Sequence, residues 1–91
     1  MQRKRERLEI IYSILSIIME HKNSIRPTPL LRFSNVSSQS FIEYYNELIS
    51  KGFILEKKDK SGKKLISLSE KGFRYIEKYK QIMGFVEEFE L

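Results

Sequence analysis

The sequence predicts a mainly α-helical domain with one small β-hairpin, an α+β arrangement in the order helix, helix, helix, strand, strand, helix. Three observations predict it. Apolar residues recur at helical spacing in the segments assigned to helices. Two short apolar segments flank the turn-forming sequence Asp-Lys-Ser-Gly-Lys. Pro, Gly, Ser and Asn separate the segments. With 91 residues, the chain is expected to form a single domain over residues 1–91.

The composition excludes several classes of protein. Hydrophobic residues make up 41% of the chain and charged residues 32%, which is typical of a globular protein. The absence of cysteine excludes disulfides and thiolate metal sites, and it fits a reducing cytoplasm. The apolar run over residues 10–19 is too short and too often interrupted by Tyr and Ser to span a bilayer, so no membrane partner is expected.

The first helix is predicted over residues 4–21 and carries two apolar rows. The row assigned to the core is Leu8, Ile11, Tyr12, Leu15, Ile18 and Met19. The second row is Ile10, Ile14 and Ile17. The combined apolar arc covers more than half of the helix circumference. One small domain rarely buries that much of one helix, so another helix or another subunit is expected to cover the second row, which is assigned to a dimer interface.

Two further helices are predicted to form a helix-turn-helix. Thr28 is the predicted N-cap of the second helix, with Pro29 at its first position. Ser37 or Ser38 caps the third helix, which is predicted over residues 38–51 and ends at Gly52 in a left-handed conformation. The apolar stripe assigned to this third helix consists of Phe41, Ile42, Tyr45, Leu48 and Ile49.

The hairpin and the last helix complete the predicted domain. Strands are predicted over residues 53–58 and 64–68, and Gly62 supplies the positive φ of the turn. Ser69 caps a final helix that extends to Phe89. Five apolar residues of this helix are spaced 4-3-4-3, as in a coiled-coil seam, although Gly84 interrupts the helix: Tyr75, Tyr79, Ile82, Val86 and Phe89. Residues 69–91 are therefore the predicted dimerisation helix.

This order of elements is the winged helix-turn-helix plan, and four segments carry a family resemblance. They are TPLL at residues 28–31, NVS at 35–37, LISKGFI at 48–54 and LSEKGF at 68–73. Over residues 8–80 the chain resembles the small, dimeric archaeal winged-helix DNA-binding proteins that are sometimes described as chromatin-associated. The resemblance implies duplex DNA binding and dimerisation through the C-terminal helix, usually as a long antiparallel coiled coil. The last helix of this chain is shorter. Together with the absence of cysteine and the abundance of Ile, Lys and Glu, the resemblance implies a thermophilic archaeon or its virus as the source.

The candidate DNA-binding residues lie on the third helix and on the hairpin. The third helix is expected to enter the major groove, where Gln39 can bond adenine in a bidentate manner. The residues assigned to this surface are Arg26, Arg32, Ser37, Ser38, Gln39, Ser40, Glu43 and Tyr44. The hairpin is the wing of this plan. Its basic segment, residues 57–64, is expected to lie on the DNA backbone or over the minor groove through Lys57, Lys58, Lys60, Lys63 and Lys64. Arg26 and Arg32 are expected phosphate contacts.

The remaining observations define the functional hypothesis and its alternatives. A single histidine, no glycine-rich phosphate loop and no Ser/His/Asp set predict no enzyme, no cofactor, no metal and no small-molecule ligand. We therefore expect a homodimeric, nucleoid-associated double-stranded DNA binder with a regulatory or architectural role. Glu43 and Glu47 would repel phosphates, which favours the alternative of a protein-interaction adaptor; RNA binding is the third hypothesis. The basic residues 3–5 are either phosphate contacts or a solubility tail.

Overall fold

A computed structural model describes the backbone of residues 2–91 and the side chains from Glu6 onward. Its elements are α1 (Gln2–Glu20), α2 (Pro27–Ser34), α3 (Ser38–Ser50), β1 (Ile54–Lys58), β2 (Lys64–Leu68) and α4 (Glu70–Glu88). The element order and the mixed α+β class are those that the sequence predicts. The basic side chains of residues 3–5 lie outside the described part of the chain.

The core is built around α1, because α2, β2 and α4 all pack against this helix. Ile14 is only 1% exposed and belongs to the core, so its assignment to a surface row for a second copy is wrong. Leu8, assigned to the core face, is instead 45% exposed. The buried apolar residues are Ile11, Ile14, Leu15, Ile18, Ile25, Leu30, Phe41, Leu48, Ile54, Ile66, Leu68 and Ile76.

The second helix begins earlier than the sequence predicts. Its N-cap is Arg26, in an extended conformation and without a side-chain cap, and Pro27 lies in the first turn. The prediction of Thr28 as the N-cap is therefore wrong, because Thr28 lies inside the helix. The fixed φ of proline suits the first turn of a helix, and both prolines of the sequence, Pro27 and Pro29, lie in the first turn of α2. The helix ends at Asn35, which adopts a left-handed conformation with φ of 60°.

The third helix is capped at both ends by local interactions. Ser37 Oγ accepts a hydrogen bond from the Ser40 backbone N–H at 3.1 Å, which confirms one of the two predicted caps. At the other end Gly52 has φ of +78°. The Gly52 N–H donates to Ile49 O, and the Phe53 N–H donates to Leu48 O. These two bonds form a Schellman motif, so Gly52 stops the helix as predicted.

The wing, defined here as residues 54–68, is a two-stranded antiparallel hairpin in which Ile54 pairs with Leu68 and Lys58 with Lys64. Ile25 adds a single antiparallel bridge to Ile66 on the other side of β2. Because a two-stranded hairpin is not stable alone, its buried residues anchor it to the helices. Gly62 supplies the positive φ of the turn, at +86°.

The last helix starts at Ser69, whose Oγ accepts from the Gly72 N–H at 3.2 Å, as predicted. Its first half packs against the rest of the chain, with Ile76 buried and Tyr79 stacked on Tyr12 of α1 at 4.5 Å between ring centroids. The second half extends beyond that contact, and the molecule measures 49 Å along its longest axis. The helix ends at Glu88.

Candidate nucleic-acid interface

The solvent-exposed face of α3 differs in part from the predicted one. Ile42, assigned to the buried stripe, is 57% exposed, so that assignment is wrong. Asn46 and Ser50 also point outward, although sequence reasoning did not select them. The signal was present, because these residues lie opposite Phe41 and Leu48, the two fully buried positions of the helix. The exposed face consists of Ser38, Gln39, Ile42, Glu43, Asn46 and Ser50.

Three residues assigned to the DNA surface either cap a helix or are partly covered by the rest of the chain. Ser37 caps α3 through its hydroxyl. Ser40 is half-buried. Tyr44 is also half-buried and packs against the core, which reduces the ring surface that is left for base stacking. Ser38, Gln39 and Glu43 remain exposed.

Glu47 does not present a free carboxylate on the exposed face of α3. Its two carboxylate oxygens accept from the guanidinium of Arg7 on α1, and one of them also accepts from Lys51 Nζ at 2.7 Å. The hydrogen bonds from Arg7, followed by that from Lys51, lower the pKa of Glu47 to about 2. Glu47 is therefore compensated by two cations, and Glu43 is the carboxylate that stays exposed on this helix.

The wing displays its lysines to solvent. Lys57, Lys58, Lys60 and Lys63 are exposed and form no ion pair with any side chain that the structure describes. Lys64 lies 3.6 Å from the Glu56 carboxylate. The hairpin therefore presents a local excess of positive charge, the arrangement expected of a surface that binds a polyanion.

An ion pair links the tip of the wing to the start of α2. Arg26 Nη2 lies 2.6 Å from Asp59 Oδ2, and the two residues are 33 positions apart in the chain. Asp59 Oδ1 accepts from the backbone N–H groups of Ser61 and Lys63 and from the Ser61 hydroxyl. The bonds from Ser61, then that from Arg26, hold the pKa of Asp59 well below its usual range. Arg26, an expected phosphate contact, is thus engaged within the chain.

A second polar contact links the wing to α3. The Tyr45 hydroxyl donates to the Glu56 carboxylate on β1. Burial, followed by the bond to Glu56, raises the pKa of Tyr45 well above its usual range. Phe41 lies beside the Tyr45 ring at 5.9 Å between centroids. Because β1 and α3 are in direct contact, the hairpin with the lysines packs against the helix that carries the exposed polar face.

Arg32, the other expected phosphate contact, lies at the far end of α2. Its guanidinium carbon is 5.4 Å from the centroid of the Phe33 ring, and the side chain is exposed. The other neighbour of Phe33 is the His21 ring at 5.3 Å. His21 Nδ1 lies 2.8 Å from the Ile17 carbonyl oxygen, so this histidine contacts a carbonyl in the last turn of α1.

The residues assigned to a dimer interface fall into two groups. Ile10, Ile17, Tyr75 and Tyr79 are half-buried in the packing of this chain, and their role between two copies stays a prediction. The second group lies in the outer half of α4, where Val86 is half-buried and Ile82 and Phe89 are each 57% exposed. Phe85 is equally exposed and pairs with Phe89 at 4.9 Å between ring centroids, although the seam spacing did not select it.

Two other kinds of site have no candidate in the part of the chain that the structure describes. Among the described helices, none combines the length and the apolar character that a bilayer crossing requires. Within residues 2–91, no three His, Asp or Glu side chains converge in a way that would hold a metal ion. A groove of about 500 Å³ between α1 and α4 is open to solvent, and its walls include Tyr12, Tyr79, Met83 and Gly84.

Comparisons with known proteins agree with this geometry. The family model described as winged helix-turn-helix matches residues 4–86. The structure is similar to Sso10a-2, a DNA-binding protein from Sulfolobus solfataricus, with a TM-score of 0.72 and 17% identity over 90% of this chain and 82% of that one. It is also similar to F-93 of SSV1, with a TM-score of 0.63 and 22% identity over 87% of this chain and 91% of that one.

A third similar structure is larger. The PcaV transcriptional regulator from Streptomyces coelicolor matches with a TM-score of 0.76 and 13% identity over 88% of this chain. The match spans 60% of the length of PcaV. At these identities the three likenesses show a shared fold. No curated protein matches the chain in sequence.

Proposed function

Because this chain belongs to the winged helix-turn-helix family, we propose that it binds double-stranded DNA as a regulator of transcription or as an architectural protein. In this proposal the exposed face of α3 lies in the major groove, and the wing lies on the sugar-phosphate backbone or over the minor groove. Binding is the whole activity, without a catalytic step. The protein would then be located with the nucleoid. Sso10a-2 is itself described as a DNA-binding protein, and PcaV as a transcriptional regulator.

The side chains on α3 support a role in reading base edges. Gln39 and Asn46 carry amides, which can bond adenine in a bidentate manner. Ile42 is exposed although it is apolar, and an apolar side chain at this place can contact the methyl group of thymine. Glu43 can accept a hydrogen bond from the amino group of cytosine. These four side chains, which offer three kinds of contact on one helix face, support a sequence preference.

One observation supports the proposal most strongly. The hairpin with the exposed lysines packs directly against α3, through the contact between Tyr45 and Glu56. This contact supports the proposal that positive charge and base-reading side chains belong to adjoining parts of one surface. Compensation of Glu47 by Arg7 and Lys51 removes much of the repulsion that favoured the adaptor alternative.

The experiment compares two variants that remove the same charge from different surfaces. The wing variant replaces Lys57, Lys60 and Lys63 with Gln, and its matched control replaces Arg74, Lys78 and Lys80, exposed residues of α4, with Gln. Binding to a mixed-sequence duplex is measured by fluorescence anisotropy over a series of salt concentrations. The wing variant should lose affinity. The slope of its log K against log salt should become less steep by about 0.9 for each phosphate that the protein no longer neutralises.

The outcomes separate the proposal from its alternatives. Equal losses in the two variants would show that only net charge matters and would overturn the assignment of the wing. If the wild type failed to bind duplex at low salt, the proposal would fail, and the adaptor alternative would replace it. Competition with single-stranded and structured RNA of equal length completes the test, since preferential displacement by RNA would favour the third hypothesis.

We also propose that the protein is a homodimer joined through residues 69–91. Three large apolar residues of this segment, Ile82, Phe85 and Phe89, are more than half exposed, a contiguous apolar surface that a monomer rarely leaves open. Pairing through α4 would present two α3 helices to half-sites about one helical turn apart, or a multiple of that distance. Sedimentation at micromolar concentration should give twice the chain mass; a species of 10.9 kDa alone would overturn the dimer.

A further inference from the structure

The tip of the wing contains a carboxylate that simple electrostatics does not explain. Asp59 lies among five lysines, on the surface that is proposed to face a polyanion. An acid in this position reduces the local positive charge and lowers the affinity for phosphates, unless it contributes in another way. The surroundings of Asp59 indicate what that contribution is.

Both carboxylate oxygens of Asp59 are occupied. Oδ1 accepts from the N–H groups of Ser61 and Lys63 at 2.9 and 3.0 Å, and from the Ser61 hydroxyl at 2.7 Å, which closes the turn of the hairpin. Oδ2 accepts from Arg26 at 2.6 Å. As a result the Asp59 side chain is only 19% exposed, although it lies at the tip of a surface hairpin. The carboxylate thus holds the turn with one oxygen and the helix-turn-helix with the other.

The partner, Arg26, has a fixed place in the backbone. Its neighbour Ile25 is buried and exchanges two backbone hydrogen bonds with Ile66 of β2, at 3.0 and 2.7 Å. On its other side, the Arg26 carbonyl accepts from the Leu30 N–H in the first turn of α2. The guanidinium therefore projects from a rigid point between the sheet and the helix-turn-helix.

We infer that the Arg26–Asp59 pair, called here the tip bracket, presets the position of the wing lysines for DNA; this inference rests on the proposed function. Without the bracket, the wing would be held by its buried base and by the contact between Tyr45 and Glu56, and its tip would move freely. A tip that is ordered before binding loses less conformational entropy when its lysines engage phosphates. Asp59 is thus a positioning residue, which acts on DNA through the lysines beside it.

The test uses a substitution for which charge and position predict opposite results. Asp59→Asn keeps an acceptor for the Ser61 and Lys63 N–H groups, removes the ion pair, and raises the formal net charge above +5 by one unit. If the wing acts only through charge, this variant binds duplex more tightly and with a steeper salt dependence. The tip bracket predicts about tenfold weaker binding and a flatter salt dependence, because fewer lysines are in place.

The double variant Arg26→Gln/Asp59→Asn is the most discriminating comparison, because its formal net charge equals that of the wild type. The tip bracket predicts that the double variant binds as weakly as Asp59→Asn, within about twofold, because the pair is already broken in the single variant. Recovery of wild-type affinity in the double variant would overturn the inference. Arg74→Gln is the matched control for Arg26→Gln, because it removes one exposed arginine from a surface that is not assigned to DNA. Arg26→Gln should bind DNA more weakly than this control; equal losses would also overturn it.

A measurement without DNA separates this inference from the proposed function. In amide hydrogen exchange, the Ser61 and Lys63 N–H groups should exchange faster in Arg26→Gln than in the wild type and in Arg74→Gln, while the core amides of α1 stay unchanged. If the wild type bound no duplex, the proposed function would fail. The exchange measurement would still test the tip bracket, because it needs no DNA. Unchanged exchange at the tip of Arg26→Gln would overturn the tip bracket whatever the protein binds.

Discussion

The two halves of α4 differ in almost every physical respect, although they form one continuous helix. In the inner half, residues 70–79, Gly72 and Ile76 are buried, and the Tyr75 hydroxyl donates to the Leu8 carbonyl oxygen at 2.8 Å. In the outer half, residues 80–88 together with the C-cap Phe89, Gly84 faces open space, and the large apolar side chains of Ile82 and Phe85 are exposed.

The two glycines show the difference most directly. A Cβ added at Gly72 would lie 2.4 Å from the backbone oxygen of Phe53, so this position tolerates only glycine. A Cβ added at Gly84 would meet nothing within 4 Å. The inner half is thus fitted to the wing and to α1, although Phe73 remains 39% exposed. The outer half has the composition of an interface that one chain does not fill.

The largest expected effect concerns the outer half. Phe85→Ser/Phe89→Ser should weaken self-association about a hundredfold or more, because each phenylalanine buried at an interface contributes about 1.5–3 kcal/mol. Sedimentation across a concentration series measures the change. The stability of the isolated chain should hardly move, since both rings are more than half exposed in it.

The matched control for that variant is Leu55→Ser/Ile42→Ser, which removes two exposed apolar side chains from the wing and α3. This control should sediment like the wild type. If the two double variants associated equally well, the outer half of α4 would not be the interface, and the contrast between the two halves would lose its functional meaning.

The next largest effect concerns the inner half. Gly72→Ala should destabilise the fold by about 2–3 kcal/mol, because the new Cβ displaces the Phe53 carbonyl, which accepts from the Ser69 N–H and hydroxyl. Urea denaturation would show a lower midpoint with an unchanged slope. A midpoint equal to that of the wild type would mean that the turn between β2 and α4 adapts freely and that the inner half is not tightly fitted.

The contrast between the halves could be predicted from the sequence only in outline. Local chemistry predicted the caps at Ser37 and Ser69 and the turns at Gly52 and Gly62, because each depends on residues within a few positions. The seam spacing predicted a special role for α4, although it could not distinguish Tyr75, which packs within the chain, from Phe89, which is exposed.

The errors arise where burial depends on several elements at once. Ile14 lies in the core because α2, β2 and α4 surround α1 and bury an arc wider than one amphipathic face. Ile42 lies at the edge of the apolar stripe of α3, and no second element covers it. Periodicity identifies the direction of a helix face, whereas the width of the buried arc depends on neighbours that are distant in the chain.

The candidate site was predictable as an area of charge but not as a set of contacts. The lysines of the wing are visible in the composition of residues 57–64. The ion pairs that organise the site join residues 33 and 40 positions apart, Arg26 with Asp59 and Arg7 with Glu47. No local pattern predicts such pairs, because they depend on how the elements pack.

A smaller effect is expected from the hydroxyl of Tyr75, which links the inner half to α1. Tyr75→Phe should destabilise the fold by about 1 kcal/mol through the lost bond to the Leu8 carbonyl oxygen. Thermal or urea unfolding at pH 7 measures the loss. Tyr12→Phe is the control, because the described structure gives the Tyr12 hydroxyl no hydrogen bond; an equal loss there would show that the bond to Leu8 contributes nothing specific.

This prediction has a pH dependence of known sign. Burial, followed by the charge of Tyr79, raises the folded-state pKa of Tyr75 from 10.0 to about 12. The folded state therefore favours the protonated hydroxyl, so its contribution is complete below pH 10 and is lost as the pH rises through 12. The difference in stability between wild type and Tyr75→Phe should shrink over that range. A difference that stayed constant would contradict the raised pKa of Tyr75.

The smallest effect, and the one of opposite sign, is expected at Gly84. Glycine within a helix is less stable than alanine by about 0.5–1 kcal/mol, and nothing in the chain would contact a new Cβ at this position. Gly84→Ala should therefore stabilise the isolated chain by up to that amount, whereas the same substitution at Gly72 destabilises it.

Gly84 also lines the groove between α1 and α4, so self-association of the variant must be measured in parallel. Greater stability with unchanged association would show that Gly84 lies outside the contact between copies. Greater stability with weaker association would mean that the partner's helix approaches at this point, because only a close approach gives glycine an advantage there. A destabilised isolated chain would contradict the open surroundings of Gly84, and with them the distinction between the two halves of α4.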